Sequence, residues 1–567
     1  MLHYQIEFDD YQQHLIHVTL RFVANPTQEL WLPTWIPGSY LIREFAKHIE
    51  SVKAYDEAGR QLKISKFEKN KWRLFNTDHE LITVEYDVYA YDLSVRGSYV
   101  DQTRFYVNPA CVCLALKDQE EAECELEVFL PDEFKHFTVA TGLTSKSLVK
   151  GRYTLKADNY MQLIDSPFEL ADQTRFSFEA EGIQHEFVIS GKHATNVERL
   201  QADIQKICQT EIQIFGSAPF KNYVFMTMAT GNSYGGLEHP NSTSLITSRD
   251  DLPKANEPEE PSEDYQRFLG LCSHEYFHSW LVKYIRPENF VNYDLHKESY
   301  TSLLWIFEGF TSYYDDLILL RSGVISQASY LTLLKAQIDR YLQNPGREVQ
   351  SVAESSFDTW IKFYRPDENS NNAGTSYYNK GCLVALCLDL GLRLRGSSLD
   401  ALVRKLYENA QKGIQVSERT IFDLCEELTG HSWLEQINHL IYTTDELPLD
   451  QLFPEFGIEY QVKNDKTQPF GLKVADKPEG VMIQQARRDG AGAKAGLSAN
   501  DVIVAIDGLK ASEKLLAKYA KQQGEFVVHA FRRDELLQFT VNAAETGLTT
   551  VELKVDDQVK LEAWLNI

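Results

Sequence analysis

Apolar and polar residues alternate along the first part of the chain. In LIHVTLRFV, Val18, Leu20 and Phe22 share one face, and polar residues occupy the other. The segments ITVEYDVYA and AECELEV repeat this pattern. A period of two is typical of antiparallel strands that bury one face. The pattern therefore predicts an antiparallel β-sandwich-like domain over residues 1–170.

Helical periodicity dominates from Tyr265 to about residue 445, after a predicted strand that begins at Tyr223. We interpret residues 171–452 as a mostly helical domain, and TDELPLDQLFPEFG as the linker that follows it. Short strand patterns, FGLKVAD and GVMIQQA, then predict a third domain over residues 460–548. Residues 549–567 form a tail that adds an edge strand or packs back on the body. The predicted fold class is multidomain α+β.

Composition narrows the possible partners. The formal net charge of −25 disfavours binding to nucleic acids and to anionic membrane surfaces. The eight cysteines form no CxxC pair, so we expect core residues in a reduced, cytoplasmic setting. We find no secretory signal, and no apolar run approaches the roughly 18 residues of a membrane span.

The segment HEYFHSW, residues 274–280, is the strongest chemical signal. Residues four apart lie on one face of a helix, so His274 and His278 can bind one metal ion, and imidazole suits zinc. Glu275 lies beside that ion and can accept a proton from the attacking water. The pentapeptide HEYFH within this segment is, taken alone, equally compatible with a helix that carries two histidines by chance.

A catalytic zinc needs a third protein ligand. The helical segment LLWIFEGFTSYYDDLILL contains a single glutamate, Glu308, thirty residues after His278. Asp315 lies seven residues further on, and therefore on nearly the same helical face. It either orients a ligating histidine or is solvated.

HEYFHSW followed by WIFEGFTSYY resembles the gluzincin metallopeptidases, and the long spacing resembles their glycyl aminopeptidase family. WIPGSYLIREFA, YGGLEHPNSTSL and SYYNKGCLVALCLDLGLR are also similar to that family. The resemblance implies a thermolysin-like catalytic domain with one zinc ion per chain, bound by His274, His278 and Glu308. We interpret Trp35, Tyr40 and Phe45 of the first stretch as core or interface residues.

Further roles follow from this resemblance. Glu238, in the Gly235-Gly236-Leu237-Glu238-His239 stretch, matches a glutamate that binds the substrate's free amine. His239 replaces the asparagine of the related motif, so a second contact there is uncertain. Tyr378 matches a tyrosine that stabilises the oxyanion, and its neighbour Tyr377 is the alternative. Small N-terminal residues, glycine or alanine, are the implied substrates.

The C-terminal stretch GAGAKAGLSANDVIVAIDG resembles a PDZ domain. The resemblance implies that the loop of Phe470, Gly471 and Leu472 captures a chain-terminal carboxylate with its backbone N–H groups. A closed or unused groove is the alternative.

The sequence thus predicts a zinc aminopeptidase that acts on peptides and possesses a PDZ domain. One alternative is a zinc endopeptidase whose PDZ domain selects protein C-termini. The other is a PDZ scaffold with an inactive catalytic domain.

Overall fold

The computed structural model describes residues 1–75 and 81–566. The chain folds into two compact units, of which unit 1 comprises Met1–Ser299, Tyr314–Ser326 and Val403–Ser417. Unit 2 comprises Tyr300–Tyr313, Gln327–Leu402 and Glu418–Ile567. Residues 76–80 of the predicted first domain and residue 567 of the predicted tail lie outside the described residues.

Unit 1 begins with a large sheet of eleven strands and a smaller one of four. The strands are, in chain order, β1 Leu2–Glu7, β2 Leu15–Val23, β3 Glu29–Trp31, β4 Ile49–Tyr55, β5 Gln61–Glu68, β6 Lys71–Phe75, β7 Leu81–Tyr89, β8 Tyr99–Val100, β9 Arg104–Val107, β10 Ala115–Leu116, β11 Cys124–Phe129, β12 Thr138–Thr141, β13 Thr144–Val149, β14 Arg152–Ala157 and β15 Phe168–Ala171. The large sheet has the order β10-β3-β6-β5-β4-β7-β2-β1-β11-β14-β13, and the small one β12-β15-β9-β8.

The predicted alternation is confirmed in the large sheet. Val18, Leu20 and Phe22 of β2 are buried, and the same face of β7 and of β11 is buried. Phe8, just after β1, stacks on Phe105 of the small sheet at a ring-centroid distance of 4.6 Å. One pairing differs from the expected antiparallel arrangement, because β1 pairs with β11 in parallel. The long chain between these strands permits it, whereas a short hairpin would not.

A five-stranded sheet follows in unit 1, with the order β16-β17-β18-β20-β19. Its strands are β16 Thr174–Ala180, β17 Ile183–Ser190, β18 Asn222–Thr230, β19 Gly235–Glu238 and β20 Ser242–Ser248. β18 confirms the strand predicted from Tyr223. The helices of this part of the chain are α1 Pro109–Val112, α2 Tyr160–Ile164, α3 Val197–Phe215 and α4 Glu263–Phe277. Helix α5, Leu304–Arg321, contributes residues to both units.

Unit 2 is helical in its first part. Its helices are α6 Gln327–Gln343, α7 Val352–Phe357, α8 Ser370–Ala373, α9 Asn379–Arg393, α10 Leu399–Gln411 (shared with unit 1), α11 Thr420–Thr429, α12 Leu434–Tyr442 and α13 Leu449–Leu452. The predicted linker contains α13 and a 3-10 turn, and Leu449, Phe453 and Phe456 are buried. Its apolar residues pack, so this stretch is ordered structure.

The C-terminal part of unit 2 is mostly β structure. Its elements are β21 Ile458–Pro469, β22 Leu472–Lys477, β23 Gly480–Ala486, α14 Ala491–Lys494, β24 Val502–Ile506, β25 Leu509–Lys510, α15 Glu513–Ala520, β26 Glu525–Arg532, β27 Glu535–Asn542, β28 Glu545–Val555 and α16 Gln558–Leu565. β28 pairs with β21, and Trp564 of α16 is buried. The last part of the chain thus contributes a strand paired with β21 and a helix with a buried tryptophan.

All eight cysteines are buried and none forms a disulfide bond within the described residues, as their apolar surroundings predict. Within the described parts of the chain, no helix has the length and apolar character needed to cross a membrane.

Candidate active site

Helix α4 carries His274 in its last turn, and His278 caps its C-terminal end. Ser262 caps the N-terminus of the helix, because its side chain accepts a hydrogen bond from the Tyr265 amide and so satisfies one N-terminal donor. The Nε2 atoms of His274 and His278 lie 3.1 Å apart. Two Zn–N bonds of about 2.05 Å at a tetrahedral angle would separate them by about 3.3 Å. The rings are thus placed to share one ion.

The other ring nitrogens are held by hydrogen bonds. Nδ1 of His274 donates to Oδ2 of Asp315 at 3.0 Å, and Nδ1 of His278 donates to the Leu281 carbonyl at 3.0 Å. These two bonds select the tautomer in which each Nε2 presents its lone pair. Both histidines are therefore oriented as neutral metal ligands.

Glu308 on α5 lies where a third metal ligand is expected. The ligand atoms of His274, His278 and Glu308 all lie within 4.8 Å of one another. Glu308 is only 2% exposed. The next residue, Gly309, packs against Gly381 of α9, where an added Cβ would lie 2.6 Å from the Gly381 Cα. Glycine at both positions lets these helices approach closely.

This donor set fits zinc. Two imidazole nitrogens and one carboxylate leave a fourth position open, which is the composition of catalytic rather than structural zinc sites. A buried carboxylate such as Glu308 is costly unless it is paired or coordinates a metal. His274, His278 and Glu308 are therefore the residues that would hold the ion.

Glu275 lies against strand β19. It is 5% exposed, and an added Cβ at Gly236 would lie 2.6 Å from its Cγ. The strand can pass this close only because residue 236 is glycine. Gly235 is less constrained, since its added Cβ would lie 3.8 Å from Ile246, an ordinary contact.

Glu238 ends β19, two residues beyond Gly236. Its side chain is 4% exposed, and its Oε1 atom has no hydrogen-bond partner within the described residues. Next to it, Nδ1 of His239 donates to Asp165 at 2.8 Å, and the buried Lys283 ammonium donates to the same carboxylate at 3.0 Å. Burial opposes ionisation of Asp165, but Lys283 and His239 outweigh it and lower its pKa. Burial lowers the pKa of His239, which favours its neutral form.

The two candidate tyrosines differ in their contacts. The Tyr377 hydroxyl is 2.8 Å from Thr359 Oγ1, and Tyr377 is fully buried. Tyr378 lies at the start of α9, with its ring stacked on Phe363. Burial, and then the charge of Glu308, raise the pKa of Tyr378, so it remains a neutral hydrogen-bond donor.

In the predicted carboxylate loop, two of the three amides are already bonded within the chain. Phe470 donates to the Ala544 carbonyl at 3.0 Å, and Gly471 donates to the Gln468 carbonyl at 3.1 Å. Phe470 and Leu472 are both buried in the core of the C-terminal β module. Carboxylate capture by this loop stays a prediction.

Some residues close to the site were not predicted. Asp165 and Lys283 occur in no recognisable motif, and Gly38 lies in the WIPGSY stretch, in which only core or interface residues were predicted. Glu211, on α3, accepts a hydrogen bond from Ser273 at 2.9 Å, and burial raises its pKa well above the usual range. Only the WIPGSY stretch gave a signal, because it is a turn bordered by large aromatics.

The fold and the His-His-Glu cluster define a metallopeptidase. The first family profile that matches, the Peptidase M61 N-terminal domain, covers residues 3–172, and the second, M61 glycyl aminopeptidase, covers residues 267–384. No curated protein matches the chain.

Among solved structures, the chain is similar to an aminopeptidase N family protein from Idiomarina loihiensis. The two are 40% identical, with a TM-score of 0.95 over 100% of each chain. This chain also shares its fold with an M1 zinc metallopeptidase from Deinococcus radiodurans. The two are 12% identical, with a TM-score of 0.50 over 79% of this chain and 94% of the other. The chain belongs to the M61 glycyl aminopeptidase family of metallopeptidases.

Proposed function

We propose that this metallopeptidase is a zinc-dependent aminopeptidase that removes small residues, glycine or alanine, from peptide N-termini. The observation that carries the proposal is the position of Glu238 on β19. Gly236 of this strand packs against Glu275, and Glu238 follows two residues later. Two residues of a strand span about 6.6 Å. This short distance suits a substrate whose charged amine directly precedes the bond to be cut.

Each residue has a role in the proposal. Zinc held by His274, His278 and Glu308 would polarise the scissile carbonyl and lower the pKa of water. Glu275 accepts the proton of the attacking water and passes it to the leaving amine. Tyr378 donates a hydrogen bond to the oxyanion.

Glu238 is the residue that distinguishes an aminopeptidase from an endopeptidase. A buried carboxylate pairs strongly with the substrate ammonium. A direct test compares glycyl and alanyl amides with their N-acetylated counterparts, using protein of measured zinc content. Faster cleavage of the free amines supports the proposal, and equal cleavage contradicts it.

We also propose that residues 460–548 form a PDZ-like domain. The order of its elements supports this, because strands, a short helix α14, further strands and helix α15 follow in turn. β22 is an edge strand of its sheet and packs against α15. A chain ending in a carboxylate would add to this edge. Peptides with a free C-terminus should therefore bind more tightly than amidated ones.

A further inference from the structure

A tight turn of the N-terminal domain lies next to Glu238. Ser39 donates its amide hydrogen to the Ile36 carbonyl at 3.1 Å. Pro37 and Gly38 occupy the two central positions, and the Gly38 φ of +88° is the left-handed value that a type II turn requires at the second of them. The turn is thus defined by its local sequence.

The turn is anchored by the residues that precede it. The Trp35 indole donates to the carbonyls of Asp294 at 3.1 Å and Lys297 at 2.8 Å. Thr34 donates both its amide and its hydroxyl hydrogen to the Leu295 carbonyl, each at 2.9 Å. Four hydrogen bonds therefore fix the turn on the segment that links α4 to α5.

Gly38 makes the closest approach of this turn to Glu238. An added Cβ at Gly38 would lie 2.6 Å from the carboxyl carbon of Glu238 and 2.7 Å from its Oε2. Such distances are too short for any side chain, so the carboxylate occupies the space that a residue other than glycine would need. Glu238 is only 4% exposed, so protein surrounds most of its side chain.

We infer that Gly38 is a positioning residue for recognition of the substrate amine. The turn forms a wall of the pocket in which Glu238 binds the ammonium, so the N-terminal β domain takes part in substrate binding. This inference rests on the proposed aminopeptidase function. It adds that the requirement for a free amine depends on a glycine in a different domain from the zinc ligands.

The test replaces Gly38 and a matched glycine by alanine. Gly59 is the control, because it is also left-handed, with a φ of +73°, and no atom lies within 4 Å of its added Cβ. Gly38→Ala and Gly59→Ala therefore carry a similar backbone penalty, and only the first displaces Glu238. Each variant is assayed for zinc content, for cleavage of free and acetylated glycyl substrates, and for inhibition by glycinamide and N-acetylglycinamide.

Gly38→Ala should lower kcat/KM for the free amine by about 10- to 100-fold, mainly through KM, as displacement of a binding group does. Cleavage of the acetylated substrate and zinc content should stay within about twofold of wild type. Inhibition by glycinamide should weaken in parallel. Gly59→Ala should behave as wild type in every assay.

If wild type prefers the free amine and Gly38→Ala keeps the full preference, the inference is overturned and the proposed function stands. If wild type shows no preference, both fall. Should Gly38→Ala fail to fold, Trp35→Phe removes two anchoring hydrogen bonds and keeps an aromatic ring. It should then reduce the preference for the free amine, and an unchanged preference would also overturn the inference.

Discussion

Nδ1 of His274 and Oδ2 of Asp315 are 3.0 Å apart, so a carboxylate on α5 orients His274, one of the proposed zinc ligands. Asp315 lies seven residues after Glu308 and therefore on nearly the same face of α5, so one helix carries both a proposed ligand and the hydrogen-bond partner of another proposed ligand. An acidic partner raises the basicity of the imidazole and fixes its tautomer.

We expect Asp315→Asn to weaken zinc binding by about 10- to 100-fold. The amide can still accept a hydrogen bond from His274, but it lacks the negative charge. Zinc affinity can be measured by competition with a chelator. Asp316→Asn, which changes the next acidic residue on the same helix, is the control and should bind zinc as wild type does. Equal zinc affinity in wild type and both variants would show that Asp315 does not contribute to metal binding.

Glu275→Gln should keep zinc and lose turnover by more than about 10²-fold, because an amide is unable to accept a proton from water. His278→Ala is the matched comparison, since it removes a ligand and should lose metal and activity together. Zinc content and kcat are measured on the same preparations. Full metal occupancy in His278→Ala would contradict the ligand assignment, and an active Glu275→Gln would contradict the role of general base.

Tyr378→Phe should lower kcat by about 10²–10³-fold, as loss of one oxyanion donor does in other enzymes. Tyr377→Phe loses a hydrogen bond to Thr359 instead, which should lower the free energy of unfolding by about 1 kcal/mol with little change in kcat. Steady-state kinetics and urea unfolding separate the two effects. If Tyr378→Phe left kcat unchanged and Tyr377→Phe abolished activity, the assignment would be wrong by one position.

We expect the titration of His185 to make the free energy of unfolding depend on pH. Its ring nitrogens form hydrogen bonds with the Tyr276 hydroxyl at 2.8 Å and the Ile183 carbonyl at 2.9 Å, and burial lowers its pKa to about 4. The unfolded chain binds a proton below about pH 6.5, and the folded chain only near pH 4. The free energy of unfolding should therefore fall as the pH drops between these values, by up to about 3 kcal/mol.

His185→Phe removes this titration and keeps the aromatic stacking on Phe178. Urea unfolding at about pH 7 and about pH 4.5 should show a smaller loss of stability in the variant than in wild type. His3→Phe, which replaces an exposed histidine, should retain the wild-type loss. A loss of equal size in His185→Phe would exclude His185 as its source.

The sequence predicted the features that depend on local spacing. The alternation in β2 required only nine residues, and the pair His274 and His278 required only one helical turn. The parallel pairing of β1 with β11, and the contact of Gly38 with Glu238, join residues more than 100 positions apart. Local patterns contain no information about which distant segment packs against another. The sequence therefore does not identify Asp165 as a site residue, and only the fold shows that it contacts His239.

Glu238→Ala should selectively impair cleavage of substrates with a free amine. The carboxylate is buried, so its pairing with an ammonium is poorly screened by solvent. We expect a loss of about 2–5 kcal/mol in transition-state stabilisation, measured from kcat/KM, for glycyl and alanyl substrates. The acetylated substrate has no positive charge to place against Glu238, so its slower cleavage should change much less. Glu238→Gln is a second variant that keeps the shape of the side chain and removes only its charge.

The four combinations of wild type or variant with free or acetylated substrate form a double-mutant cycle in which the substrate supplies one change. A large coupling energy in this cycle would place the amine against Glu238. A coupling energy near zero would mean that Glu238 acts on both substrates alike, through the structure of β19. If wild type also cleaved both substrates equally, the zinc chemistry would stand, and the enzyme would be an endopeptidase.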